Sequence, residues 1–284
     1  MPATAIFIDN LCYDINIVIR SKEVIAAGVD IGSSTSKAVL LDGDLILCHS
    51  LIATGAESAG SARRAFDEAL EQANLSSSEI GYIVATGYGR VIVPFAQETV
   101  TELSCHARGA NWLFPSARTI LDMGGQDCKA IRCDVAGRLE NFAMNDKCAA
   151  GTGRFLELMA RVLGISLDEM SELSLEAKAE VRINSTCAVF AKSEVTSLVR
   201  EGEDRRDVLA GLHSAIAARV YNLLRGVGVE PDLVITGGIG KNMAVVRKIE
   251  ERVGLSALLP EEPQIVGALG AALFAQERIM LGKE

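Results

Sequence analysis

Two short segments combine aspartate, glycine and lysine in the way that is typical of phosphate-binding turns. Asp30 opens the first, DIGSSTSK, and Asp122 opens the second, DMGGQD. When residues 30–39 are superposed on residues 122–131, Asp, Gly, Lys and Ala coincide. Both segments are typical of a strand, a small-residue turn and a second strand. The repetition predicts two lobes built on one plan, each offering a turn to a shared cleft.

The residue types in these turns suit a nucleotide. Backbone N–H groups and hydroxyls that are crowded into a small-residue turn bind polyphosphates. Asp30 and Asp122 stand at predicted strand ends, where carboxylates can hold Mg2+ through its waters. The alternative is that each aspartate fixes its turn by accepting from nearby amides. A third small-residue turn, Gly237-Gly238, follows the short apolar run 233–236. The chain has neither G-x-x-x-x-G-K-[ST] nor a G-x-G-x-x-G that follows a first strand.

Two of the seven cysteines are placed where a metal cluster could use them. Cys148 and Cys187 each precede a predicted helix, and the positive end of a helix favours a thiolate. Two thiolates cannot complete the four-thiolate shell of an iron–sulfur cluster, but a symmetric dimer would supply the other two. The alternative is inert packing of small apolar side chains. Cys128 and Cys133 lie on opposite sides of one predicted strand, which disfavours joint chelation.

Composition limits the class of protein. The chain has 284 residues, 49% hydrophobic content and a net charge of -9, without a dense basic run, so we expect no nucleic-acid partner. Apolar stretches break before the roughly 18 residues that a spanning helix needs, and no signal-peptide pattern opens the chain. We therefore expect no membrane partner and a cytoplasmic location.

The elements that must position these residues follow from periodicity. Residues 1–23 show no clean period and are expected to form an N-terminal extension, which is either an added strand, a disordered leader or an upstream misreading of the start codon. From Val24 a β-hairpin is predicted. Helical spacing of apolar residues predicts helices at 59–73, 99–112, 153–163, 193–200 and 207–227.

The turns resemble those of the actin, sugar kinase and heat-shock-70 type of ATPase. That resemblance implies an α/β fold with two RNase H-like lobes around a nucleotide cleft. It makes residues 30–37 the first phosphate loop, 122–127 the second, and Thr236 with Gly237 and Gly238 the adenosine turn. We expect lobe I at 24–105, completed by a C-terminal helix at 265–284, and lobe II at 106–264. The expected phosphate contacts are Gly32, Ser33, Ser34, Thr35, Gly124, Gly125 and Gln126.

Longer blocks resemble the activators of 2-hydroxyacyl-CoA dehydratases, whose relatives include ATP-binding subunits of benzoyl-CoA reductase and reductases of double-cubane cluster proteins. The blocks are 28–37, 85–90, 102–107, 122–127, 145–155, 185–187 and 267–273. The resemblance implies a homodimer with one ATP per subunit, Mg2+ held by Asp30 and Asp122, and one 4Fe-4S cluster ligated by Cys148 and Cys187 of both subunits. It further implies an ATP-driven one-electron donor that takes electrons from ferredoxin or flavodoxin and passes them to a dehydratase component.

Three positions inside the matching blocks keep alternative roles. Lys37 either contacts phosphate or only caps its hairpin. Glu102 either orients the attacking water or forms a surface salt bridge. Cys105 and His106 are expected to pack within a helix that links the lobes.

Other functions are compatible with the same fold, because fold does not fix function. Within the family, the acceptor could be a double-cubane protein or a benzoyl-CoA reductase partner. A small-molecule kinase would leave both cysteines incidental. A non-hydrolysing binding module would tolerate loss of Asp30 and Asp122.

Overall fold

The computed structural model describes residues 24–147, 149, 151–184 and 187–282. The expected N-terminal extension, residues 1–23, lies outside this part of the chain. The described residues form two compact units: unit 1 contains 24–115, 136–138 and 264–282, and unit 2 contains 116–135 and 139–263. A boundary after residue 105, as expected from the sequence, would cut the helix Glu102–Leu113, which lies wholly in unit 1.

The strands are β1 (Ile25–Ile31), β2 (Thr35–Asp42), β3 (Leu45–Ala53), β4 (Ile80–Thr86), β5 (Glu98–Thr99), β6 (Thr119–Met123), β7 (Cys128–Cys133), β8 (Leu139–Asn145), β9 (Leu233–Thr236) and β10 (Ala257–Leu258). The α-helices are α1 (Ser58–Gln72), α2 (Glu102–Leu113), α3 (Gly153–Leu163), α4 (Leu167–Leu175), α5 (Ala188–Arg200), α6 (Arg205–Val227), α7 (Met243–Val253) and α8 (Val266–Leu281). Short 3-10 helices occupy Ser77–Glu79, Arg90–Ile92 and Gly238–Lys241.

The two units repeat one sheet topology. Unit 1 has the strand order β3-β2-β1-β4-β5, and unit 2 has β8-β7-β6-β9-β10. In each unit the first three strands in sequence are antiparallel neighbours, and the fourth and fifth join in parallel. The α/β fold class and the internal repetition predicted from the sequence are therefore confirmed.

The central strand of unit 1 is covered on both faces of the sheet, so every residue of β1, including Gly28, is buried. Helix α1 packs on one face of the sheet, and α2 and α8 pack on the other. Helix α8 approaches β1 closely: a Cβ on Gly28 would lie 2.0 Å from the carbonyl oxygen of Ala268. The small residues at the start of α8 thus allow close packing on β1, which holds this strand and Asp30 near its end in place.

Unit 2 surrounds its sheet with the remaining helices, and their starts carry ordinary capping signals. Ser166 and Glu169 form a capping box at α4, Asp204 caps α6 through the amide of Arg206, and Asn242 caps α7. The apolar sides of α3 to α7 share one core with β6, β7 and β9. Among the helices of the described residues, none combines the length and apolar character needed to span a membrane.

Candidate functional site

The first predicted loop is a tight β1–β2 turn in unit 1. Asp30 and Lys37 face each other across the hairpin, and Lys37 Nζ lies 3.1 Å from Asp30 Oδ2, with both side chains buried. The amide of Gly32 donates to the carbonyl oxygen of Thr35 at 3.0 Å, which closes the turn. Gly32, Thr35 and the two serines between them are half-buried, so their amides and hydroxyls line an open loop.

Thr54, directly after β3, and Ser61 of α1 hold this loop through hydrogen bonds. The Thr54 hydroxyl donates to the Gly32 carbonyl oxygen at 2.9 Å, and the Thr54 amide donates to the carbonyl oxygen of Ser34 at 3.0 Å. Buried Ser36 lies 3.0 Å from the Thr54 hydroxyl and 2.9 Å from that of Ser61. Because these partners fix the loop backbone, its shape is set before any ligand arrives.

The second predicted loop repeats the first in unit 2. Asp122 faces Lys129 across the β6–β7 hairpin, and the Gly124 amide donates to the carbonyl oxygen of Asp127 at 3.0 Å. Lys129 Nζ lies 3.4 Å from Asp122 Oδ2 and 2.7 Å from Asp127 Oδ1. The second loop therefore has an additional carboxylate where the first has Thr35.

The N-terminus of α3 closes over this second loop. The amide of Gly153 donates to the Gly124 carbonyl oxygen, and the amide of Arg154 donates to that of Gly125, both at 2.9 Å. The Gln126 side chain is exposed, and with its amide oxygen turned towards Arg154 it accepts from Nε and Nη2 at 3.3 and 3.2 Å. Gln126 thus presents a polar group at the loop surface, beside a fixed guanidinium.

A Thr-Gly turn lies beside each aspartate. Thr86 ends β4 next to Asp30, and Thr236 ends β9 next to Asp122, in the same parallel register. The following glycines have φ of 85° and 81°, and a Cβ on Gly87 or Gly237 would lie 2.3 or 2.8 Å from Oδ1 of the neighbouring aspartate. Only glycine fits such a backbone. Each unit therefore carries one matched set of Asp, Lys, Thr and Gly.

The first of these Thr-Gly turns was not predicted from the sequence. Only Thr236 and the glycines after it were assigned a role, although Ala85-Thr86-Gly87 stood in one of the matching blocks. The available signal was a Thr-Gly pair at the end of an apolar strand in both halves. In unit 2, the 3-10 helix Gly238–Lys241 follows directly, and Gly238 is exposed.

Glu102 forms an ion pair in unit 1 that is partly buried, whereas the sequence offered a surface salt bridge as one of its two roles. It is the first residue of α2, and its Oε2 accepts from Arg90 Nη1 at 2.8 Å. His106, one turn later, is buried against α8: a Cβ on Gly267 would lie 3.0 Å from its Nε2 and 3.2 Å from Asp30 Oδ2. His106 therefore lies against the start of α8.

One predicted cluster ligand, Cys187, is described, and Cys148 lies outside the described residues. Cys187 is the N-cap of α5 and is half-buried. This helix begins at Ala188, five residues before the predicted start at 193, so the thiol sits directly at the helix N-terminus. A partly accessible thiol there has the chemistry of a cluster ligand. Among the described residues, no group of three or more Cys, His, Asp or Glu could hold a metal by itself.

The other four described cysteines are buried, and their surroundings explain them as packing residues. Burial raises the pKa of the Cys105 and Cys128 thiols, and it raises the pKa of Cys133 to about 11. Cys128 donates to the Gly151 carbonyl oxygen at 3.0 Å, and Cys48 donates to the side chain of Gln72 at 3.0 Å. The Cys105, Cys128 and Cys133 thiols are therefore poor metal ligands, because burial disfavours the thiolate.

Sequence similarity places the chain among known ATPases. Residues 27–275 match a family described as the BadF/BadG/BcrA/BcrD ATPase family. The activator of lactoyl-CoA dehydratase from Anaerotignum propionicum is 49% identical over 251 residues, which cover 88% of this chain and 96% of that protein. A component of benzoyl-CoA reductase from Thauera aromatica is 34% identical over 266 residues, which cover 89% of this chain and 94% of that protein.

Two solved structures are also similar to this chain. The activator of 2-hydroxyisocaproyl-CoA dehydratase from Clostridium difficile, solved with bound ADPNP, has a TM-score of 0.87 and 41% identity, and the alignment covers 91% of this chain and 97% of that one. A ROK family glucokinase from Streptomyces griseus has a TM-score of 0.57 at 13% identity, covering 89% of this chain and 99% of that one. The second likeness shows the fold alone, and it agrees with the predicted sugar-kinase type of fold.

Proposed function

Because the chain belongs to the BadF/BadG/BcrA/BcrD ATPase family, we propose that it hydrolyses ATP to deliver single electrons at low potential to a 2-hydroxyacyl-CoA dehydratase. The observation that carries this proposal is the near full-length similarity to the activator of lactoyl-CoA dehydratase. The repeated set of Asp, Lys, Thr and Gly supports it, since two equivalent polar turns suit a polyphosphate and its metal ion.

The nucleotide would be held by the two loops and the second Thr-Gly turn. Asp30 and Asp122 would hold Mg2+, because each presents carboxylate oxygens near the end of a strand, beside its loop. The amides and hydroxyls of residues 32–35 and the amides of 124–126 would contact phosphates. Gly237 and Gly238 would let the adenosine approach the backbone, since neither has a side chain to exclude it.

The cluster would be held by thiolates. Cys187 fits this role by its position at the start of α5, and Cys148 would be the second ligand from each copy of the chain. A 4Fe-4S cluster shared by two copies would supply one-electron transfer. Because the cluster needs four thiolates and each chain would supply two, the proposal implies a homodimer. Ferredoxin or flavodoxin would be the upstream donor, and a dehydratase component or a related iron–sulfur protein would be the acceptor.

Anaerobic purification tests the proposal when iron, sulfide, oligomer mass and ATP turnover are measured on one preparation. We expect a dimer with one four-iron cluster per two chains and ATP hydrolysis that is lost in Asp122→Asn. Asp67→Asn is the matched control, since Asp67 forms an exposed ion pair with Arg63 on α1. A metal-free monomer that phosphorylates a small molecule would contradict the proposal.

A second candidate is the ATPase component of a reductase of the benzoyl-CoA type. The similarity to the benzoyl-CoA reductase component from Thauera aromatica favours it, although the identity is lower than to the dehydratase activator. The two candidates share the ATP and cluster sites and differ in the acceptor. Supplying each acceptor in turn to the reduced protein with ATP distinguishes them.

A further inference from the structure

The turn after β4 is clamped in unit 1 by an arginine. Arg90 Nη1 donates to the Gly87 carbonyl oxygen at 3.0 Å and to Glu102 Oε2 at 2.8 Å. The Arg90 amide also donates to the Gly87 carbonyl oxygen at 3.2 Å, and the Gly89 amide donates to that of Ile31 at 2.9 Å. These bonds tie the turn to α2 on one side and to the end of β1 on the other.

The clamped turn lies directly against Asp30. A Cβ on Gly87 would stand 2.3 Å from Asp30 Oδ1 and 2.6 Å from the Ile31 carbonyl oxygen, so a small shift of this backbone would displace the carboxylate. The Thr86 hydroxyl is fully buried here and has no hydrogen-bond partner among the described residues, although the weakly polar Cys105 thiol is close to it.

Among the residues that the structure describes, the equivalent turn of unit 2 has no such arginine clamp. There the Gly240 amide donates to the Gly237 carbonyl oxygen at 3.0 Å, as the Arg90 amide does to that of Gly87. Gly240 thus occupies the position of Arg90 without a side chain. The Thr236 hydroxyl donates to Asp122 Oδ1 at 3.3 Å, so this aspartate has a direct partner from its turn. Asp122 is therefore held by a hydrogen bond from its own turn, whereas the turn beside Asp30 is held by the Arg90–Glu102 ion pair.

We propose that Arg90 and Glu102 are positioning residues: their ion pair fixes the Thr86–Gly87 turn and thereby the Asp30 carboxylate for Mg-ATP. This inference rests on the proposed ATPase function. On this inference, the role of Glu102 is to hold the Arg90 guanidinium, and Glu102 does not orient the attacking water. The geometry supports this assignment because Glu102 acts through one guanidinium that also holds the Gly87 carbonyl oxygen.

A double-mutant cycle tests the proposal with Arg90→Gln, Glu102→Gln and the double variant. Each variant should raise the Kd for Mg-ATP, measured by calorimetry, by roughly tenfold, and the double variant should match the single ones because the residues act as one unit. ATP binding in excess EDTA should stay unchanged, and the turnover number at saturating Mg-ATP should stay within about twofold of wild type. Amide exchange over residues 86–92 should become faster in all three variants.

The matched control is the Arg278–Glu98 ion pair of the same unit, with distances of 2.7 and 2.8 Å. Arg278→Gln should leave the Kd for Mg-ATP and the exchange over 86–92 unchanged. A Glu102→Gln variant that loses turnover while its Kd stays normal would overturn the proposal, and so would additive effects in the double variant. A wild-type protein that fails to bind Mg-ATP would instead refute the proposed function itself.

Discussion

Replacing Gly270 with alanine should loosen the packing that supports Asp30. Gly270 faces α2 from α8, and a Cβ there would lie 1.9 Å from the carbonyl oxygen of Cys105 and 2.5 Å from its carbonyl carbon. Both obstacles are backbone atoms, so no rotamer change relieves the clash. The helices would have to separate by roughly 1.5 Å to restore ordinary van der Waals contact.

The cost can be estimated from this overlap. Overpacking of a well-packed interface costs up to about 3 kcal/mol, and the better helix propensity of alanine returns about 1 kcal/mol. Gly270→Ala should therefore lower the free energy of unfolding by about 2 kcal/mol, which corresponds to a fall in Tm on the order of 8 °C for a unit of this size.

Urea denaturation followed by circular dichroism measures this change. Gly226→Ala is the control, because Gly226 is an exposed glycine of α6 whose added Cβ would meet only the Ala143 Cβ at 3.7 Å. That variant should be more stable than wild type by about 0.5–1 kcal/mol. If Gly270→Ala were as stable as Gly226→Ala, the close contact of α2 with α8 would be refuted.

Three further outcomes follow from buried groups and cysteines. Burial lowers the pKa of His213 to about 4. The free energy of unfolding should therefore fall by up to about 1.4 kcal/mol per pH unit as the pH drops from 6.5 towards 4. In urea titrations, His213→Gln should flatten that slope. Cys187→Ser should lose the iron, whereas Cys48→Ser, at a buried thiol that donates to Gln72, should keep it in colorimetric iron assays. Lys129→Met should lower the free energy of unfolding by about 3 kcal/mol, because it removes the cation beside the buried Asp122 carboxylate. Lys241→Met, which breaks an exposed ion pair, should lower it by less than about 1 kcal/mol.

The local elements were largely predictable because their signals are local. The helix predicted at 153–163 is α3, and those predicted at 59–73 and 207–227 differ from α1 and α6 by at most two residues at either end. The duplicated hairpins followed from the repeated residues around Asp30 and Asp122. Short edge strands such as β5 and β10 were not predicted, because two residues carry no usable period.

The features that were not predicted depend on contacts between distant parts of the chain. Thr86 reaches Asp30 only through the parallel pairing of β4 with β1, and no spacing rule in the sequence gives that register. The helix α5 was predicted to start at 193, too late, because residues 188–191 form an unbroken apolar run, which carries no helical period. The sequence gives no sign that α2 belongs wholly to unit 1, because its packing partner α8 comes from the other end of the chain.

Activation of a dehydratase is the most direct test of the central claim. The reduced, anaerobically purified protein would be mixed with lactoyl-CoA dehydratase, and dehydration of lactoyl-CoA would be followed with and without Mg-ATP. We predict that activity appears with wild type and Mg-ATP together and is absent with Asp122→Asn. A dehydratase that stays inactive while wild type hydrolyses ATP beside it would contradict the account.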